Sequence, residues 1–103
     1  MSSVFSKRLK EARREAGLSQ ERLGVLAGID EMSASARMNQ YERGKHEPDF
    51  SMVKRIARAL DVPVPFFYAE DDDEALLIRW FCKLSAEERA EVMQKAKGGN
   101  TAG

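Results

Sequence analysis

Amide and guanidinium side chains lie on one side of the stretch from residue 33 to residue 45. Ala34, Met38 and Tyr41 fall at i, i+4 and i+7, which is the spacing of a short helix with one stripe on a core. The opposite face carries small and polar residues: Ser35, Ala36, Arg37, Asn39 and Gln40. Such groups hydrogen-bond to base edges, and a slim helix fits the major groove of B-DNA. Taken alone, this pattern more often means an ordinary solvated helix face; contact of these residues with DNA bases is predicted only together with the sequence around the helix.

The residues around this helix resemble the Cro and phage-repressor type of helix-turn-helix, often called XRE-like. The matching pieces follow one another in the usual order: Gly17-Leu18-Ser19-Gln20, Leu23-Gly24, Gly28-Ile29 and Glu42-Arg43-Gly44-Lys45. The order and spacing of the pieces carry the resemblance, which covers roughly residues 5–68. One departure is that about four more residues separate Gly28 from Glu42 than is usual in the family.

The resemblance implies an all-α, five-helix repressor-like domain that binds double-stranded DNA as a dimer. The implied function is sequence-specific transcriptional regulation, with repression expected, at paired half-sites about one helical turn apart. Four residues are expected to contact the DNA backbone: Gln20, Arg22, Arg43 and Lys45. Gln20 stands at a helix start, where anions bind well, although a solvated first-turn residue is the alternative. In the family, the residue at Glu42 pairs with an arginine near the end of the first helix, here Arg13, as a structural tie.

Several short helices must position the predicted DNA-contacting face. Apolar spacing and capping residues predict helices over residues 5–16, 20–27 and 50–60. Ser19 and Asp49 are the expected N-caps of the second and third of these. The inward side of the last helix is predicted to comprise Phe50, Val53, Ile56, Ala57 and Leu60. A short helix over residues 65–68 would then place Phe66 and Phe67 on the core.

The lengthened connection before the predicted DNA-contacting helix allows two structures. Asp30 caps a longer helix, or residues 30–33 form a wider turn with Ser33 as the cap. Extending the apolar stripe one turn back reaches Asp30 and Glu31, which are not core residues, so the wider turn is favoured. Gly24 stands where the family usually has alanine, and a small residue there lets the two helices of the motif approach closely.

A second segment follows the helix-turn-helix, and we divide the chain into a DNA-binding domain over 1–69 and a helical dimerisation segment over 70–103. The predicted tail helices span residues 74–84 and 86–97, the second opening with the capping-box pattern Ser85-Ala86-Glu87-Glu88. Residues 98–103 are expected to fray. The apolar residues assigned to a dimer interface are Leu77, Trp80, Phe81, Leu84, Val92 and Met93. Packing on helices of the same chain is the alternative.

Charge separates the two segments. Residues 1–68 hold 12 Lys and Arg against 9 Asp and Glu, whereas residues 69–103 hold 5 against 8. The first segment is therefore mildly basic, as expected for DNA binding, and the tail is acidic. The rival interpretation is a helical interaction module, such as an antitoxin-like protein whose tail binds a protein partner.

Catalysis, metals and membranes receive no support from the sequence. No nucleophile, acid–base pair or metal-ligand cluster is apparent, so we expect no enzymatic activity, no cofactor and no metal. Cys82 is the only cysteine and His46 the only histidine. The start of the chain has no apolar signal region, and no stretch approaches the roughly 18 apolar residues of a membrane span. We therefore expect a cytoplasmic protein without a membrane partner.

Overall fold

The computed structural model describes the backbone of residues 3–101 and the side chains of residues 3–98. This part of the chain contains six α-helices, one 3-10 helix and no strand. In chain order these are α1 (Val4–Glu15), α2 (Gln20–Leu26), α3 (Glu31–Glu42), α4 (Phe50–Leu60), the 3-10 helix (Val64–Tyr68), α5 (Asp72–Phe81) and α6 (Ala86–Thr101). The predicted all-α class is confirmed. None of the helices in the described part is long and apolar enough to cross a membrane.

Side-chain caps fix where most of these helices begin. Ser19 accepts a hydrogen bond from the Arg22 N–H at 3.0 Å, and Asp49 accepts one from Met52 at 2.8 Å, as predicted. The capping box is also present, since Ser85 and Glu88 each accept a hydrogen bond from the other's backbone N–H at 3.1 and 2.9 Å. Each cap satisfies a backbone donor that the first helical turn leaves without a partner.

The expected wider turn before the DNA-contacting helix is wrong. Asp30 is the N-cap of α3 and accepts a hydrogen bond from the Met32 N–H at 3.0 Å, while the Ser33 N–H donates to the Asp30 carbonyl at 2.9 Å. The helix therefore starts one turn earlier than the apolar stripe. The first turn of α3 lies in solvent beyond the core. Its helical structure depends on the Asp30 cap and not on apolar packing.

One hydrophobic core joins α1, α2, α3, α4 and the 3-10 helix. The 3-10 helix buries Phe66 and Phe67 as predicted, and the ring of Phe67 lies 5.2 Å from that of Phe5 in α1. In α4 the prediction for Phe50 is wrong, because this first residue of the helix is exposed and Met52 is buried instead. Phe50 instead lies beneath the Lys54 ammonium, 5.5 Å from the ring centre.

Two polar residues of α1 are buried that the sequence did not single out. The Ser6 hydroxyl donates to the Tyr41 carbonyl at 2.8 Å, joining α1 to α3. The Arg8 guanidinium donates to the carbonyls of Ala69 and Glu70 at 2.9 and 3.0 Å and to the Asp72 carboxylate at 2.9 Å. Arg8 thereby holds the segment that leads into α5.

The tail does not pack as an additional layer of the core. Helix α5 begins at Asp72 and ends at Phe81, earlier at both ends than predicted, and only Ala75 on it is fully buried. The Arg89 guanidinium donates to the Phe81 and Cys82 carbonyls at 3.2 and 2.7 Å, so it caps the end of α5. The expected fraying from residue 98 is wrong as far as residue 101, because α6 remains helical to Thr101; residues 102 and 103 lie outside the described residues.

Candidate nucleic-acid interface

Helix α3 presents a continuous polar face. Ala34, Met38 and Tyr41 are buried as predicted, which turns the opposite side outward. The predicted base-contacting residues lie on this outward side, where Ser35, Ala36, Arg37 and Gln40 are exposed and Asn39 is half-buried. The structure thus brings all of these residues together on one side of a single helix, and an α-helix fits into the major groove.

A close contact between α2 and α3 holds this face in place. A Cβ atom added at Gly24 would lie 2.7 Å from the Ala34 Cβ and 2.9 Å from the Ala34 carbonyl oxygen. Real Cβ atoms do not approach so closely, so only glycine fits without a shift of one helix. The expected role of a small residue at this position is confirmed, and here even alanine is too large.

A hydrogen-bonded network joins α1, α2 and α3 beneath the outer face. The Arg13 guanidinium donates to both carboxylate oxygens of Glu42 and, at 2.8 Å, to the Leu18 carbonyl. The predicted pairing of Arg13 with Glu42 is therefore present. The Gln20 amide donates to Glu42 at 3.1 Å and to the side-chain oxygen of Asn39 at 3.3 Å. The sequence did not predict these two bonds of Gln20. The bond to Asn39 orients the Asn39 side chain.

Contact of Gln20 with a DNA phosphate stays a prediction, and the hydrogen bonds that Gln20 already makes limit how it can occur. A phosphate only accepts hydrogen bonds, and both bonds that the Gln20 amide donates go to protein oxygens. A phosphate contact through the Gln20 side chain therefore requires this amide to release Asn39 or Glu42. Of the other predicted backbone-contacting residues, Arg22 is exposed on α2, and Arg43 and Lys45 are exposed after the end of α3.

The end of α3 directs its two basic residues away from the core. Gly44 has a positive φ of 73°, and its N–H donates to the Tyr41 carbonyl at 3.2 Å. The Lys45 N–H then donates to the Gln40 carbonyl at 3.0 Å. Such a left-handed residue closes the helix and reverses the chain. The Arg43 and Lys45 side chains consequently border the polar face of α3 at its C-terminal end.

The predicted dimer-interface residues are apolar, unlike the polar outer face of α3. Leu77 and Trp80 of α5 are 57% and 60% exposed, and Met93 of α6 is also exposed. Phe81, Leu84 and Val92 are half-buried. Leu77 and Trp80 therefore do not pack on helices of the same chain, because Ala75 and Ile78 take the core-facing positions of α5.

Exposed ion pairs near the two ends of α5 lower the pKa values of two carboxyl groups. The Arg8 and Lys7 side chains beside Asp72 lower the pKa of that carboxyl, and Lys83 beside Asp61 lowers the pKa of the Asp61 carboxyl. Partial burial, with a smaller effect of Glu47, raises the pKa of the Tyr68 phenol, so this group stays protonated at neutral pH. Among the described residues, no group of three or more His, Cys, Asp or Glu side chains is arranged to hold a metal ion.

The fold and this polar helix face define a helix-turn-helix DNA-binding protein. The family model described as Helix-turn-helix matches residues 9–67. The chain therefore belongs to the helix-turn-helix family of the Cro and XRE type, as its sequence resemblance implied, and it is a regulator of transcription.

Individual proteins similar to this chain carry the same description. The SPbeta prophage-derived uncharacterized HTH-type transcriptional regulator YonR of Bacillus subtilis is 32% identical over 100 residues, which is 87% of this chain and 89% of that protein. The HTH-type transcriptional regulator YqaE of the same organism is 30% identical over 71 residues, 69% of this chain and 58% of that protein. The crystal structure of the transcriptional regulator BswR aligns with a TM-score of 0.84 at 43% identity, covering 90% of this chain and 92% of that chain.

Proposed function

We propose that the protein is a sequence-specific repressor that binds a two-fold symmetric operator as a homodimer in the cytoplasm, without enzymatic activity. The observation that carries the proposal is the outer face of α3, where exposed amide and guanidinium groups lie above a core-facing apolar stripe. In this proposal Gln40 forms paired hydrogen bonds with adenine, Arg37 contacts guanine or a phosphate, and Ala36 contacts a thymine methyl. The basic residues at both ends of the motif would position the helix on the phosphates.

Dimerisation is proposed from the tail. A single helix-turn-helix contacts one half-site, so tight specific binding generally needs two copies. Leu77 and Trp80, three residues apart on α5, are 57% and 60% exposed, and fully burying such side chains is worth about 1.5–3 kcal/mol each. The same face of a second copy offers a complementary apolar surface in a two-fold arrangement. Aromatic residues are also enriched in interface cores.

Selection of binding sites from a random pool of DNA duplexes tests the proposal. The expected result is one enriched sequence with two inverted half-sites about one helical turn apart. Enrichment of a single half-site would overturn the dimer, and enrichment of nothing would favour the protein-interaction module. A reporter with the selected site overlapping its promoter then tests repression, because increased expression would make the protein an activator.

Sedimentation of the full-length protein at micromolar concentration tests its association directly. A dimer supports the proposal, while a monomer that captures a different protein through α5 and α6 supports the antitoxin-like alternative. Truncation after Ala69 is a poor test, because it also removes buried Ala75 and the Asp72 partner of Arg8. Substitution of an exposed α5 residue tests the same face without touching the core.

A further inference from the structure

Met32 is an apolar side chain for which the fold provides no neighbour. It is 93% exposed, more than any other large hydrophobic residue in the described part of the chain. It belongs to the additional first turn of α3, which Asp30 caps through the Met32 N–H. Packing does not explain a methionine at this position, because the helix core begins at Ala34.

The position of Met32 on α3 is that of a DNA-contacting residue. Met32, Ala36 and Gln40 are spaced by four residues each, so they follow one another along the same side of the helix. Ala34 and Met38 are buried on the opposite side. One helical turn adds about 5.4 Å to the outer face, which is more than the roughly 3.4 Å between successive nucleotides of one strand. The extra turn therefore lengthens the polar face by at least one base step.

We propose that Met32 contacts the C5-methyl group of a thymine at the end of the half-site, and so adds one position to the recognised sequence. The proposal rests on the proposed function, in which the outer face of α3 enters the major groove. N-terminal residues of recognition helices are the ones that contact base edges in this motif. Among those edges, thymine alone presents a methyl group, and a thioether side chain has no donor for the acceptors of the other bases and is only a weak acceptor for their donors.

Charge disfavours a phosphate as the neighbour of this turn. Asp30 and Glu31 are acidic, and the next basic residue along α3 is Arg37. Carboxylates gain nothing from the phosphate backbone and repel it, whereas an exposed flexible methionine gains from contact with a methyl group. An apolar contact with a base edge is therefore favoured over a contact with the sugar–phosphate chain.

Replacing thymine with deoxyuridine in the selected site removes only the methyl group and tests the contact directly. The thymines of each half-site are replaced one at a time, and binding is measured for the wild type and for Met32→Ala. We expect one replacement to weaken wild-type binding about fourfold per half-site, the equivalent of about 0.8 kcal/mol for one buried methyl. The same replacement should leave binding of Met32→Ala unchanged, and sites selected by that variant should lose the thymine.

Leu26→Ala serves as the matched control, since Leu26 is an exposed apolar residue of α2 outside the outer face of α3. It should retain both the thymine preference and the sensitivity to deoxyuridine. If Met32→Ala weakens all sequences equally, or if no deoxyuridine replacement affects the wild type, the thymine contact is refuted. The regulator function survives that result as long as Gln40→Ala still alters the selected sequence; a wild type that enriches no sequence overturns both.

Discussion

The two segments of this chain expose opposite kinds of surface. In the helix-turn-helix domain, Ala34, Met38 and Tyr41 of α3 are buried in the core, and the outward face carries amide, hydroxyl and guanidinium groups beside the exposed Met32 and Ala36. In the tail, small Ala75 and half-buried Ile78 meet the core, while Leu77 and Trp80 remain outside. A polar face suits a hydrated, charged ligand such as DNA, and an apolar face suits another protein surface. We therefore propose that DNA binds to the helix-turn-helix domain and that the second copy binds to the tail.

The segments are also held by different kinds of ion pair. Arg13 and Glu42 have side chains only 13% and 3% exposed, and Gln20 adds a further hydrogen bond to the carboxylate. Lys83 and Asp61, which join the end of α5 to the end of α4, are 49% and 90% exposed. Removing one partner of a buried ion pair strongly destabilises the fold, whereas an exposed ion pair contributes little to stability. The DNA-binding domain is thus expected to be rigid around Arg13 and Glu42, whereas the Lys83–Asp61 pair adds little to what Arg8 does in holding the tail.

The largest expected effect is on stability, when one partner of the buried pair is removed. Glu42→Ala leaves Arg13 and Gln20 without their shared acceptor and should lower the free energy of unfolding by about 3–5 kcal/mol. Arg13→Ala should be similarly destabilising, and the double variant should lose less than the sum of the two. Lys83→Ala is the control in the tail and should stay close to wild type. Urea denaturation measures all four proteins, and strict additivity would show that the two side chains do not interact.

A charge placed in the apolar tail face should separate the proposed dimer. Trp80→Glu is expected to raise the dimer dissociation constant at least about 30-fold, as for a hot spot worth about 2 kcal/mol, without unfolding the protein. Binding to a full operator should weaken in parallel, while binding to one half-site is unchanged. Sedimentation and circular dichroism provide the measurements. Leu26→Glu, which changes an exposed leucine elsewhere, should remain dimeric; a dimeric Trp80→Glu would assign the interface to another surface.

A substitution on the polar face should affect sequence preference rather than folding. Gln40→Ala is expected to weaken the best site by about 1–3 kcal/mol and to relax preference at one base pair. Lys45→Ala should instead weaken binding to all sequences and reduce the salt dependence by about one unit of slope. Titrations at several salt concentrations compare the two variants. An unchanged selected sequence for Gln40→Ala would mean that α3 is not the recognition helix.

The smallest expected effect concerns the contact between the two motif helices. Gly24→Ala forces its new methyl group against Ala34, at a cost of about 1–3 kcal/mol, and gains back up to about 1 kcal/mol in helix propensity. We expect a net loss of about 1 kcal/mol and a lower melting temperature. Adding Ala34→Gly should not rescue the variant, because the backbone carbonyl oxygen and Cα of residue 34 still lie 2.9 and 3.0 Å from the new Cβ and the second glycine costs about 1 kcal/mol in helix propensity. A more stable Gly24→Ala protein would show that α2 and α3 can separate without cost.

Local signals determined most of the helix boundaries. Ser19, Asp49 and the Ser85–Glu88 capping box each satisfy helix N–H groups within a few residues, so their positions are readable without the fold. The resemblance to the helix-turn-helix family added the pairing of Arg13 with Glu42, which lies 29 residues away in the chain and has no local signal. Arg8 had a signal that was overlooked, because it stands three residues after Phe5 and four before Ala12, on the buried stripe of α1.

Only the tertiary structure decided which side of α5 meets the core. Nearly every position from Ala75 to Phe81 is apolar, so periodicity cannot choose a face. The choice is made by Arg8, whose guanidinium holds the carbonyls of Ala69 and Glu70 more than 60 residues along the chain and thereby sets how α5 enters. The start of α3 was predicted at the wrong residue for a related reason: Asp30 and Ser33 are both competent caps, and only the path of the chain after α2 selects Asp30.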